Sequence, residues 1–147
     1  MFNISGFGLT VSLIASNTFP VGLLLTQWPD DQDAISFPDI EIGDAQMGVN
    51  GDLIVWSKAA PVKVTLSAIP DSPTDLQLAV LLMANRVGVN KIGARDILQM
   101  VVLQGNNNLG TFTNGIIVSG PSFTGVQSTG RMKTKQYGFI FESPYAI

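Results

Sequence analysis

Histidine and cysteine are both absent from this chain of 147 residues. Without them there is no disulfide, no thiolate or imidazole metal ligand, no cysteine nucleophile and no catalytic scheme that uses histidine as its base. Charge is scarce as well. Only 13% of residues are Asp, Glu, Lys or Arg, about half the usual share in soluble domains. Aromatic residues with a polar handle are few, with two Trp and two Tyr, which counts against a polysaccharide-processing cleft even though paired carboxylates cannot be judged from spacing alone. No Gly-x-x-x-x-Gly-Lys-Ser/Thr run occurs, and Ser5-Gly6-Phe7-Gly8 is too short for a dinucleotide fingerprint and precedes a strand-like run. The reading is of a protein that is not an enzyme and holds no cofactor.

Positive charge is missing from the first 57 residues, the first cation being Lys58, and residues 2–29 carry no charge at all. A signal peptide would need a basic start. The stretch is also broken by Asn17, Thr18 and Pro20 into two strand-sized apolar pieces, so it reads as a hairpin and neither a leader nor a membrane anchor. We expect assembly in a cytoplasm, to which the absence of cysteine is suited.

Hydrophobic residues make up 46% of the chain and mean hydropathy is +0.31. One domain spanning 1–147 can bury much of this. The surplus is expected to be covered by neighbouring subunits. Charge distribution points the same way. Seven of eleven acids (Asp30, Asp31, Asp33, Asp39, Glu41, Asp44 and Asp52) fall between 30 and 52, where there is no Lys or Arg. The rest of the chain has eight basic and four acidic residues, a balance of +4, with Arg131, Lys133 and Lys135 close together. Opposite patches on one subunit suit head-to-tail association into rings or filaments. We therefore take Asp30, Asp31, Asp33, Asp39, Glu41 and Asp44, with Arg131, Lys133 and Lys135, as candidate contacts between subunits. Two other readings stand beside this. Asp30, Asp31 and Asp33 could hold Mg²⁺ or Ca²⁺, though the Gly and distal Glu of an EF-hand loop are missing and a solvated loop is the simpler reading. Arg131, Lys133 and Lys135 alternate, which puts them on one face if this piece is a strand, where they could touch phosphates or simply face water.

The pattern along the chain is mainly β. Strands are predicted over 8–15, 21–26, 53–57, 97–104, 113–119 and 137–142, with a short one in 35–42 after an acidic loop. Val62, Val64 and Leu66 alternate with Lys63, Thr65 and Ser67, a strand with one wet face. Asn50-Gly51 between strand-like flanks is a strong hairpin signal, because both central positions of a type I′ turn need positive φ. Gly105-Asn106-Asn107-Asn108 and Ser128-Thr129-Gly130 read as turns. Ser72-Pro73-Thr74-Asp75 opens the one helix, about 73–87: Ser caps, Pro is pre-set for the first position, Asp suits the positive end of the dipole, and Gly88 is a plausible stop. Leu76, Ala79, Val80, Met83 and Val87 recur at helical spacing, while Leu78, Leu81 and Leu82 widen the apolar stripe. Such a helix should be covered on more than one side, the second cover coming from a partner subunit.

From Met47-Gly48-Val49-Asn50-Gly51-Asp52 through Val62-Lys63-Val64-Thr65-Leu66 to Ser72-Pro73-Thr74-Asp75-Leu76-Gln77-Leu78, the chain resembles the tail tube proteins of contractile-tailed bacteriophages. There too a glycine-turned hairpin is followed by an alternating Thr/Val strand and a helix opening with Ser-Pro or similar; elsewhere the likeness is one of layout. The resemblance implies a β-sandwich or barrel-like fold with one flanking helix. It implies hexameric rings completed by sheets that continue between subunits, stacked into a virion tail tube. Its partners would be other copies, tail sheath and baseplate proteins, and double-stranded DNA passing without specific binding. A baseplate or tube-initiator ring of the same fold is the nearest alternative. A free-standing β-sandwich binding module, which would be monomeric, is the alternative of another class.

Overall fold

A computed structural model describes residues 1–2, 4–105 and 107–146, with side chains through residue 142. The alternating segments become β1 (Leu9–Ala15), β2 (Phe19–Leu25), β3 (Ile35–Ser36), β4 (Gly43–Met47), β5 (Leu53–Ser57), β6 (Val62–Ala68), β7 (Leu98–Gln104), β8 (Asn107–Ser119) and β9 (Lys135–Ala146), with helix α1 (Pro73–Asn85) between β6 and β7. The fold is mainly β. Seven strands form one antiparallel sheet in the order β2-β1-β7-β8-β9-β6-β3, and β4-β5 form a separate two-stranded sheet.

One face of the large sheet is the core. Val11, Leu13 and Leu25 from one end, Leu98, Met100 and Val102 from the middle, and Tyr137, Phe139, Phe141, Val64 and Leu66 from the other end belong to a single buried cluster. The sheet curls over that cluster. The chain after each edge strand packs back onto the sheet: the Trp28 indole, beyond β2, donates to the Leu9 carbonyl at 2.9 Å, and Phe37, directly after β3, stacks on Phe112 of β8 with ring centroids 5.4 Å apart. Pro20 lies in β2 because β2 is an edge strand, where a missing amide hydrogen leaves no ladder bond unmade.

Helix α1 starts as its sequence requires. The Ser72 hydroxyl accepts from the Asp75 amide at 3.3 Å, and Pro73 takes the first position. It ends two residues earlier than its spacing predicts. Gly88 is not the stop; the chain turns extended at Arg86, because Asn85 is held sideways. Its amide donates to the Leu81 carbonyl and the Asp96 carboxylate while its oxygen accepts from the Asp96 amide.

Five other expectations shift. The Asn50-Gly51 hairpin forms, but not through a type I′ turn: only Gly51 of the pair takes a positive φ, and the Gly51 amide closes the turn on the Gly48 carbonyl at 3.0 Å. Of the short strand in 35–42 only Ile35–Ser36 forms, pairing with Leu66 and Thr65; the acids that follow have no second strand to lie on. Asn107 and Asn108 belong to β8, since the return strand begins directly opposite Gln104, whereas Asn106 lies outside the described residues. β9 extends beyond 142 and begins at Lys135, so Arg131 and Lys133 precede it. Ser67, on the nominally wet face of β6, is buried beneath the 30–36 segment, whose Ala34 carbonyl accepts from its amide.

Candidate assembly surfaces

The predicted charge pairing is present, but within one chain. Arg131 donates to Asp30 at 2.7 Å, the Thr134 hydroxyl to Asp31 at 2.7 Å, and the Gln136 amide to Gln32 at 2.7 Å. These three contacts fasten the acidic loop alongside the start of β9. Both partners of the ion pair are solvated, and each shifts to favour charge. The Arg131 hydrogen bond, then a local backbone bond and the guanidinium charge, hold the Asp30 carboxyl below its usual value. The Asp30 bond and the charges of Asp30 and Asp31 raise Arg131 in return.

Lys135 goes elsewhere. Opposite Ala68 in the ladder, it points to the core side, where its ammonium meets the fully buried Asp75 carboxylate at 3.0 Å. The same carboxylate accepts from the Tyr137 hydroxyl at 2.8 Å and from the Asp71 amide at 3.1 Å. Burial first, then the bond to Asp75 and its negative charge, pushes the Tyr137 phenol above its ordinary range. The three alternating cations therefore do not share a face. Lys58 pairs with Glu41 at 2.8 Å and Asp44 at 3.5 Å beside the small sheet. Asp33, Asp39 and Lys133 are exposed and enter no ion pair among the described residues. No cluster of three potential metal ligands occurs among the described residues, with Asp30 and Asp31 already committed to Arg131 and Thr134. No described helix is long and apolar enough to cross a membrane.

What the charge reading missed is apolar. Every residue of β4 and β5 is exposed. Cross-strand register puts Ala45, Met47, Leu53 and Val55 on one face of this hairpin and Gln46, Ile54 and Trp56 on the other. Met47, Leu53 and Val55 are 63–67% exposed, so the described residues of their own chain leave them largely uncovered. The signal was legible in Leu53-Ile54-Val55-Trp56, an unbroken apolar run where a strand wet on one face would alternate. Helix α1 shows the same surplus. It buries Leu78 and Leu81, and the stripe Leu76, Val80 and Met83 lies on the opposite side in solvent.

The outward face of the large sheet is different again. Thr10 and Ser12 of β1, Val101 of β7, Thr111 and Thr113 of β8 and Ile140 of β9 form a broad hydroxyl-bearing and aliphatic surface. Among described residues of β1, β6, β7, β8 and β9, only Lys63 and Glu142 bring a charge to it.

Residues 2–144 match the family described as "Tail fiber protein gp32". The chain belongs to that family. It is a structural protein of the phage tail. Solved structures agree in shape. A chain of the anti-feeding prophage baseplate superposes with a TM-score of 0.61 at 12% identity, covering 100% of this chain and 97% of that one. A chain of the sheath-tube complex of the extracellular contractile injection system PVC, in its extended state, gives 0.56 at 14% identity over 99% and 93%. A chain of the PVC sheath/tube terminator gives 0.56 at 15% identity over 99% and 96%. At such identities the likeness is one of fold. No curated protein matches the chain. The gp32 family member thus has the fold seen in contractile-injection assemblies, with apolar surface on a hairpin and a helix that its own chain leaves bare.

Proposed function

We propose that this protein is the repeating subunit of a phage tail tube, with hexameric rings stacked around a channel for DNA. The observation that carries the reading is the β4-β5 hairpin, exposed on both faces and apolar on one. An isolated hairpin is marginal in water, and a bare apolar one is a surface awaiting a partner. A repeating assembly supplies that partner in every copy. Ring closure would hide the free edge of β2, extending the sheet between subunits as a cylinder with no open edge.

The outward sheet face suits the wall of the channel. Each Lys or Arg contact to phosphate adds affinity and therefore drag, so a wall of Thr, Ser, Val and Ile on which Lys63 is the one cation among the described strand residues keeps that drag low. The outer surface would then meet sheath and baseplate proteins. Asp33, Asp39 and Lys133 are the charges left free for contacts between copies, whereas a role there for Asp30, Asp31, Glu41, Asp44, Arg131 and Lys135 would require their pairs within the chain to be shared or exchanged.

A baseplate or tube-initiator ring is the second reading, favoured by the overlap with the baseplate chain. Electron microscopy of the purified protein with light scattering on dilution tests both. Stacked tubes support the first reading and single rings the second. A stable monomer at all concentrations overturns both and leaves the free-standing binding module.

A further inference from the structure

We propose that the apolar face of the β4-β5 hairpin docks along the bare stripe of helix α1 on a second copy of this chain. The inference rests on the assembly reading and says which surface receives the hairpin.

Three observations select the helix. The first is chemistry: Leu76, Val80 and Met83 form an exposed aliphatic stripe opposite the buried face. The hairpin offers Met47, Leu53 and Val55 in return. The second is size. A five-residue strand spans about 17 Å and a helix of 13 residues about 20 Å, so one lies along the other without overhang. The third is charge. Asp52, beside the hairpin tip, enters no ion pair, and neither do Arg86 and Arg95 at and beyond the C-terminal end of α1, among the described residues, whereas the Lys91 ammonium already donates to the Met83 carbonyl. Opposite charges left over at one end of each apolar strip fix the direction of docking, with the tip of the hairpin over the C-terminal end of the helix. Like-signed ends would have excluded it.

The absence of native cysteine makes the test direct. Two single variants, Leu53→Cys and Met83→Cys, are purified separately, mixed, allowed to assemble and oxidised. We expect a covalent dimer in the mixture on a non-reducing gel, and its loss when Met83→Cys is replaced by Val118→Cys on β8. A second pair, Val55→Cys with Val80→Cys, covers a shift of register. Assemblies visible by electron microscopy with no cross-link from either pair overturn the docking but leave the tube. Protein that never assembles overturns the tube reading and this proposal with it. Val80→Asp on the exposed stripe supplies an independent readout: it should keep the native circular dichroism spectrum and lose assembly, and assembly at the wild-type level would overturn the docking.

Discussion

Asp75 shows how much structure one side chain can organise. It caps from inside the first turn of α1, accepts the Tyr137 hydroxyl and pairs with Lys135 while fully buried. Removing one member of such a pair leaves the other charge desolvated and alone, so Asp75→Ala should cost roughly 3 kcal/mol. Urea unfolding of the dilute protein measures this, and Asp75→Leu combined with Lys135→Met should recover part of the loss. Asp96 makes a different prediction, about pH. Burial would raise its carboxyl, but the Thr18 hydroxyl, the Asn85 amide and the Asn17 and Thr18 backbone amides outweigh it and lower the value below 3.8. A carboxyl lowered by folding binds its proton less readily in the folded state, so its contribution is present above the unfolded value and is lost as pH falls through the lower folded one. Asp96→Asn should therefore flatten the acid side of the stability curve. At neutral pH it should cost about 2 kcal/mol, because an amide nitrogen would face the Asn85 donor.

Elements that depend on local chemistry were legible, and those that depend on partners far along the chain were not. Asn50-Gly51 located the small hairpin, and Ser72-Pro73-Thr74-Asp75 located the start of α1, because turns and caps are made by neighbouring residues. The helix end was set by Asn85 reaching Asp96, and the fate of Lys135 by Asp75 sixty residues earlier in the chain, which no local pattern encodes. The spacing of Leu76, Val80 and Met83 identified a helix but not which stripe would be inside. Of the exposed apolar surface, the run Leu53 to Trp56 was readable, whereas the alternation of Arg131, Lys133 and Lys135 did not give them a shared strand face because two of them precede β9. Gly115 belongs to the illegible class as well. It stands in β8 opposite Phe141 of β9, and a Cβ added there would lie 2.2 Å from the Phe141 ring. The ring fills the space over the glycine and is fully buried. Gly115→Ala has to displace it, and overpacking of this kind should cost about 2 kcal/mol, read as a lowered midpoint in denaturant with an unchanged slope.

At the scale of the whole molecule, stability and assembly are separable, because the residues that hold the core together are not those left bare. The core cluster draws on β1, β2, β6, β7, β8, β9 and α1 and includes nothing from β4 or β5. The double substitution Leu53→Asp, Val55→Asp should therefore leave the melting transition of the dilute chain within about 0.5 kcal/mol, as exposed positions do. It should nonetheless abolish association, which sedimentation velocity would show as a single slow species at concentrations where the wild type forms large ones. Salt discriminates the driving force. Ion pairs between exposed groups are screened at about 3 Å in 1 M salt, whereas apolar burial persists there. With Asp30, Arg131, Lys58 and Glu41 already paired inside the chain, wild-type assemblies should survive 1 M salt at equilibrium and form more slowly as steering is lost. Dissolution into monomers by salt would mean that charge, and not the bare hairpin and helix, holds the copies together.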